Sequence, residues 1–153
     1  MLKAKDLMSK NVITVDPGTS LEEAAAKMSE HSISGLPVVE DDGKLVGIIS
    51  EKDLIYKDKK LHFPDYINLI GGIIYLESFR KFEKEFKKYI AIKVEELMTK
   101  EVVSINENTK VDEIANIMVE KDVNRVPVLR EGKLLGIVTR ADLVKDIARG
   151  KGD

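Results

Sequence analysis

The chain has 153 residues, which suffices for one folded domain with a buried core and no covalent cross-links. A hydrophobic fraction of 43%, a charged fraction of 34% and a net charge of −2 describe a folded protein without the basic excess of nucleic-acid-binding proteins. Zero cysteines exclude disulfides, thiolate metal sites and cysteine nucleophiles, and two histidines argue against a histidine-built metal site. Because no segment resembles a signal peptide or a transmembrane helix, we expect a cytoplasmic location.

An internal repeat organises the chain. Leu7–Val15 aligns with Leu97–Ile105, and the match continues to Leu54 and Leu143 with one extra residue, Asp42, in the first copy. Because one copy is too short to cover both faces of its sheet, the two copies are predicted to pack around a pseudo-twofold axis as one α/β (α+β) module with two clefts. The predicted organisation is repeat 1 at residues 1–56, a mostly helical insert at 57–92, repeat 2 at 93–149 and a flexible tail at 150–153.

Each copy is predicted to fold in the order β-α-β-β-α. In the first copy, the β-branched strand Val12–Val15 leads to Thr19 and Glu22, whose spacing is that of a capping box at the start of a helix. Strands over Leu36–Val39 and Leu45–Ile49 then form a hairpin, because turn residues separate them, and a helix follows. The second copy repeats these elements in the same order.

The insert between the repeats carries the aromatic residues. All four Tyr and four Phe of the sequence lie between Tyr56 and Tyr89. Glu77–Ile90 places aromatic and aliphatic residues at helical spacing among lysines and glutamates, which predicts an amphipathic helix. We expect this segment to pack on the module. A dimer contact, a lid over a cleft and a surface for an effector protein are the alternatives.

Two junctions between a strand and a helix carry residues suited to ligand binding. They are Gly47–Asp53 and Gly136–Asp142, and each reads Gly, two aliphatic residues, a hydroxyl residue, two variable residues and Asp. The hydroxyl of Ser50 or Thr139 can donate to a phosphate oxygen, and the closing Asp can accept two hydrogen bonds from a ribose diol. The same Ser/Thr-x-x-Asp spacing is that of a helix cap, so the residues alone leave both interpretations open.

Together these features resemble the CBS (cystathionine β-synthase-type) domain family, and the tandem arrangement resembles a Bateman module. The resemblance rests on the Leu-Met-Ser/Thr opening of each copy, on Ser34–Val39 and Asn124–Leu129, and on the two junctions. Members of this family bind adenosyl ligands such as AMP, ADP, ATP, S-adenosylmethionine or methylthioadenosine. The resemblance therefore implies a non-catalytic sensor of such a ligand.

The resemblance also implies that each cleft is built from both repeats. Around the first cleft it places motif residues of repeat 1 and strand or loop residues of repeat 2: Ile48, Ser50, Asp53, Val103, Val123 and Asn124. The counterparts around the second cleft are Ile137, Thr139, Asp142, Ile13, Ile33 and Ser34. In this assignment the aspartates bind ribose hydroxyls, the hydroxyl residues contact ribose or phosphate, and backbone groups beside the aliphatic residues contact adenine. An equally open interpretation is that the aliphatic residues simply form core.

The two clefts are not expected to be equivalent. Arg140 follows Thr139 in the second motif, whereas Glu51 follows Ser50 in the first. A cation beside a helix start favours a phosphate and an anion opposes one. The second cleft is therefore predicted to prefer phosphorylated nucleotides, and the first an uncharged or cationic adenosyl compound or none. The alternative is that both charged side chains point into solvent.

The sequence shows no nucleophile–base pair, metal cluster or carboxylate dyad, so no enzymatic activity, catalytic cofactor or metal is expected. The predicted function is a regulatory module that senses energy or methylation state and passes it to an unknown effector protein. A homodimer is expected, and neither nucleic acid nor membrane is expected as a partner. The alternative is a structural dimerisation module with empty clefts, whose junction motifs only cap helices.

Overall fold

The computed structural model describes residues 2–56, 80 and 83–150. Most of the predicted insert, including Phe79 and Phe82 of its predicted helix, and the end of the predicted tail lie outside these residues. Within the described part, no helix has both the length and the apolar character needed to cross a membrane.

Repeat 1 consists of a short opening helix, a second helix, a hairpin and a third helix. These elements are α1 (Ala4–Leu7), α2 (Leu21–Glu30), β1 (Gly35–Val39), β2 (Leu45–Ser50) and α3 (Glu51–Tyr56). β1 and β2 pair antiparallel, and Val15 adds a single parallel pairing with Val38. The strand predicted over Val12–Val15 is thus reduced to its last residue, because the chain before it turns to the other repeat, where Ser9 pairs with Ile137.

Repeat 2 has the same order of elements. A helix at residues 83–90 (α4) precedes it, and its own elements are α5 (Val94–Leu97), β3 (Ile105–Asn106), α6 (Val111–Glu120), β4 (Arg125–Arg130), β5 (Lys133–Thr139) and α7 (Arg140–Gly150). The sheet order is β3-β4-β5, with β3 parallel and β5 antiparallel to β4. The mixed α/β fold predicted from the repeat is therefore confirmed.

The first long helix of each repeat starts one residue later than the capping-box pattern predicted. The Thr19 hydroxyl accepts the Asp16 amide at 3.2 Å and so closes the preceding turn. Ser20 is the N-cap of α2, and its hydroxyl accepts the Glu23 amide at 3.2 Å. In repeat 2, the Thr109 hydroxyl likewise accepts an amide from the turn before α6. The prediction of Thr19 as the helix cap is wrong because its hydroxyl bonds within the preceding turn, and the adjacent Ser20 caps the helix instead.

Within the described residues, two hydrophobic cores hold the module together, one in each repeat. The first core contains Val15, Leu21, Ala24, Met28, Leu36, Val38, Ile49, Tyr89 and Val94. The second core contains Ala4, Ile105, Ile114, Met118, Val126, Val128, Val138 and Leu143. The apolar positions that recur with helical or strand spacing in the sequence supply most of both cores, since those spacings put the side chains on one face.

The opening helix of each repeat packs in the core of the other. Val94 of α5 is fully buried in the first core, and its amide donates to the Thr19 carbonyl at 2.8 Å. Ala4 of α1 is fully buried in the second core, and its amide donates to the Thr109 carbonyl at 2.8 Å. This reciprocal exchange makes the two repeats one module, because neither core is complete without a segment from the other repeat.

The last turn of the insert also packs on repeat 1. Tyr89 of α4 is 8% exposed within the first core, and its hydroxyl donates to the Leu54 carbonyl of α3. Phe86, one turn earlier, is exposed. The described end of the insert therefore contributes to the core.

Candidate functional site

Among the points at which the backbones of the two repeats meet, two equivalent ones lie at the junction motifs. Ile48 and Thr99 exchange backbone hydrogen bonds of 3.0 and 2.8 Å, and Ile137 and Ser9 exchange bonds of 3.0 and 2.9 Å. Beside the first point, a Cβ on Gly47 would lie only 2.6 Å from the Met98 sulfur. The close approach of the other repeat therefore leaves little room at this motif position for a side chain larger than that of glycine.

A cavity of about 270 Å³ lies between the repeats at the first cleft. All six residues expected there line it: Ile48, Ser50, Asp53, Val103, Val123 and Asn124. The fold brings them together because β2 ends at the point where the loops of repeat 2 approach it. Among the described lining residues none is aromatic, so the apolar wall of the cavity is aliphatic.

The Asp53 carboxylate is the most enclosed polar group of this cavity. Asp53 is 4% exposed, and its Oδ2 accepts the Ser50 amide at 3.0 Å and the Ser50 hydroxyl at 3.2 Å. Its Oδ1 accepts the hydroxyl of Thr99, from the other repeat, at 3.1 Å. The motif therefore caps α3, as its spacing allows, and it also places a carboxylate on the cleft.

The second junction motif caps its helix in the same way. The Thr139 amide donates to Asp142 Oδ2 at 2.9 Å, and the Asp142 amide donates to the Thr139 hydroxyl at 3.3 Å. Asp142 is half-buried, and Arg140 is exposed. The Arg140 amide donates to the Asn124 carbonyl at 2.9 Å, as the Glu51 amide does to Ser34 at 3.0 Å.

The remaining residues expected at the second cleft are distributed differently. Ile13 and Ile33 are half-buried and pack against the first core, so their side chains serve the core. Ile137 lies in β5 and pairs with Ser9. Ser34 lines the cavity of the first cleft.

Arg125 lines the first cleft, although it was not predicted as a site residue. In the alignment of the repeats it occupies the position of Gly35, and its guanidinium lies against Gly35, where a Cβ would contact it. The guanidinium donates to the Ser34 hydroxyl, and burial lowers the pKa of Arg125 despite the nearby Glu51 carboxylate. The replacement of a glycine by an arginine at equivalent repeat positions was the signal that could have found it.

The described lining of the first cleft is acidic. Four carboxylates, those of Glu51, Asp53, Glu101 and Asp122, face two cations, Lys52 and Arg125. Apart from Asp53, these carboxylates are on exposed residues, so their field is screened by solvent. The cavity thus combines an aliphatic wall, one buried carboxylate and a negative rim.

Comparison with known proteins identifies the family. The CBS domain model matches residues 4–60 and 94–149. The chain is 34% identical over 149 residues to an uncharacterised protein of Methanocaldococcus jannaschii, a match that covers 92% of this chain and 88% of the relative. It is also 33% identical over 144 residues to inosine-5′-monophosphate dehydrogenase of the same organism, covering 94% of this chain and 23% of the enzyme.

A solved structure has a similar fold. The crystal structure of CBSX2 from Arabidopsis thaliana in complex with AMP superposes with a TM-score of 0.73 at 27% identity, covering 99% of each chain. The family model, the relatives and this structure agree with the resemblance carried by the repeated motifs. The chain therefore belongs to the CBS domain family, and its two repeats form the tandem pair called a Bateman module.

Proposed function

We propose that this protein is a non-catalytic regulatory module that binds an adenosyl ligand in the first cleft. The observation that carries the proposal is the cavity in which Ser50 and Asp53 of repeat 1 face Val123 and Asn124 of repeat 2. The AMP in the CBSX2 complex supports the ligand class. The match to the dehydrogenase spans 23% of that enzyme, so it supports a shared module and no shared activity.

The cavity suits one nucleoside. Its volume of about 270 Å³ is just below the roughly 300–1,000 Å³ typical of small-molecule sites, so it has room for one small ligand. In the proposed binding mode the ribose hydroxyls donate to the Asp53 carboxylate, and adenine lies against Ile48, Val103 and Val123. Backbone groups beside these aliphatic residues then hydrogen-bond the edge of the base.

The charges around the two clefts support different ligand types. The acidic rim of the first cleft disfavours the several negative charges of ATP and favours an uncharged or cationic compound such as methylthioadenosine or S-adenosylmethionine. Arg125 offers one cation, so AMP remains a ligand to be tested there. We propose that the second cleft, where Arg140 follows Thr139, prefers phosphorylated nucleotides.

Thermal melts with AMP, ATP, S-adenosylmethionine and methylthioadenosine test the proposal. A ligand at 100 times its Kd stabilises the folded state by about 2.7 kcal/mol, which raises the Tm of a domain of this size by about 5–10 °C. Asp53→Asn and Asp142→Asn are matched variants, because each removes a carboxylate that caps a helix through the same backbone hydrogen bond. The shift caused by a ligand of the first cleft should disappear in Asp53→Asn and persist in Asp142→Asn.

Two results would contradict the proposal. If no ligand raises the Tm of the wild-type protein, the structural module with empty clefts is the better description. If an Asp41→Asn variant in the exposed hairpin turn loses the shift as fully as Asp53→Asn does, the ligand does not bind in the first cleft.

We further propose that the module acts as a homodimer that relays ligand binding to an effector protein in the cytoplasm. Val144 and Ile147 are 64% and 66% exposed and lie one turn apart on the same face of α7. Burying these two apolar side chains against a second copy of the chain would stabilise a dimer. Sedimentation velocity should show a dimer that Ile147→Glu dissociates. Arg149→Glu places a glutamate on the opposite side of the helix, about 160° from Ile147 and about 140° from Val144, and is the control. A wild-type monomer at micromolar concentration would refute this part.

A further inference from the structure

The two aspartates of the junction motifs are held differently. Asp53 accepts the Thr99 hydroxyl at 3.1 Å across the boundary between the repeats. Ser9 aligns with Thr99 in the repeat, yet among the described residues no hydrogen bond joins the Ser9 hydroxyl to Asp142. The first cleft therefore contains a cross-repeat hydrogen bond that the second cleft lacks within the described part of the chain.

The difference lies in the side chains, because the backbones are paired alike. Thr99 exchanges two backbone hydrogen bonds with Ile48, and Ser9 exchanges two with Ile137. Thr99 is also held in register by Met98, whose side chain packs on Gly47. The Thr99 hydroxyl is thus presented to Asp53 from a fixed backbone position.

We infer that Thr99 competes with the ligand's ribose for Asp53 and thereby sets the affinity of the first cleft. This inference rests on the proposed function. A carboxylate accepts about four hydrogen bonds, and Ser50 and Thr99 already supply at least three to Asp53. Two ribose hydroxyls would raise the number of donors to at least five, so one donor must leave, and the Thr99 hydroxyl is the donor on Oδ1. Because Thr99 is exposed on the cavity, its hydroxyl can turn away by rotation about one side-chain bond.

Thr99→Val tests the inference, since valine keeps the shape of threonine and removes the hydroxyl. The probe is adenosine, the part shared by all the proposed ligands, titrated calorimetrically in an Asp142→Asn background to weaken binding in the second cleft. Adenosine should bind Thr99→Val about 3- to 10-fold more tightly, which is the contribution of one net intramolecular hydrogen bond. The Thr99→Ser variant should bind adenosine with the same affinity as the protein that carries Thr99, because serine keeps the competing hydroxyl.

A second probe separates competition from a general change of shape. The gain in Thr99→Val should be absent for 2′,3′-dideoxyadenosine, which lacks the ribose hydroxyls that would take the freed position on Asp53. Ser9→Val is the matched control in the other repeat and should leave adenosine affinity in the first cleft unchanged.

The outcomes distinguish this inference from the proposed function. If adenosine binds the protein that carries Thr99, and binds the Thr99→Val variant equally well or more weakly, the competition is refuted and the proposed function stands. An equal gain for both probes, or a Thr99→Ser variant that behaves like Thr99→Val, also refutes it. If neither adenosine nor any of the four adenosyl ligands binds, the proposed function fails and the inference fails with it. Should Thr99→Val not fold, Thr99→Ala makes the same test.

Discussion

The close approach of the repeats at Gly47 and Gly136 leads to the sharpest prediction about stability. An alanine Cβ at position 136 would lie 2.8 Å from both the Met8 sulfur and the Ser9 carbonyl oxygen. At position 47 it would lie 2.6 Å from the Met98 sulfur and 3.0 Å from the nearest carbonyl oxygen. Either substitution must push the two repeats apart or displace a methionine.

The cost follows from which atoms can move. A methionine sulfur is at the end of a flexible side chain, whereas the carbonyl oxygen of Ser9 accepts the Ile137 amide at 3.0 Å and cannot move without weakening that bond. Overpacking of this kind costs about 1–3 kcal/mol. We expect Gly136→Ala to be the more destabilised variant, because its clash with backbone is shorter than that of Gly47→Ala. For a domain of this size the Tm should fall by roughly 3–10 °C.

Urea unfolding of both variants measures the effect. Gly150→Ala is the control, because a Cβ at position 150 would meet nothing within 4 Å. Gly47→Ala should also weaken adenosine binding in the first cleft, since it pushes apart the two repeats that line that cavity, and Gly136→Ala should not. If Gly136→Ala unfolds at the same urea concentration as Gly150→Ala, the argument that the repeats need glycine at these points is wrong.

Three further predictions concern the packing and one surface ion pair. Tyr89→Phe removes a hydroxyl bonded to a backbone carbonyl and should lower the free energy of unfolding by about 1 kcal/mol. Val94 is fully buried in an exchanged opening helix, and Val94→Ala should lower the free energy of unfolding by about 2 kcal/mol. Val119 is 81% exposed, and Val119→Ala should change this free energy by less than about 0.5 kcal/mol. Urea unfolding measures all three variants. The hydrogen bond from Arg130 holds the pKa of Glu107 below its ordinary value of 4.5. Because the folded state lowers this pKa, the ionised Glu107 stabilises the folded protein. This stabilisation is present above pH 4.5 and is lost as the pH falls through the lowered pKa. An NMR titration of Glu107 should show this pKa rise in Arg130→Gln, and an unchanged value would refute the assignment.

Several features of the fold follow from local sequence patterns. The repeat, the helical spacing of Leu21, Ala24 and Met28, and the turn residues between the hairpin strands predicted the long helices, the hairpins and most of both cores, but not the opening helices α1 and α5. The start of α2 was predicted at Thr19 and lies at Ser20, because adjacent hydroxyl residues have similar capping propensities and only their hydrogen bonds separate them.

The candidate site was partly predictable for the same reason. The junction motif places Ser50 and Asp53 one helical turn apart, so their pairing follows from spacing alone. Thr99 and Arg125 approach this site from the other repeat, 46 residues from Asp53 and 91 residues from Ser34 respectively. No local pattern specifies such contacts, because they depend on how the apolar faces of distant elements are buried.

By itself, the sequence determined the family, the duplicated order of long helices and hairpins, and the candidate binding residues, since all of these follow from spacing and repetition. The tertiary structure decided how the copies combine. It exchanged the opening helices carrying Ala4 and Val94 between the two cores, and it brought the Thr99 hydroxyl to Asp53. The physical reason is that two nearly equivalent repeats bury each other's open faces, and the few positions at which they differ then make the clefts unequal.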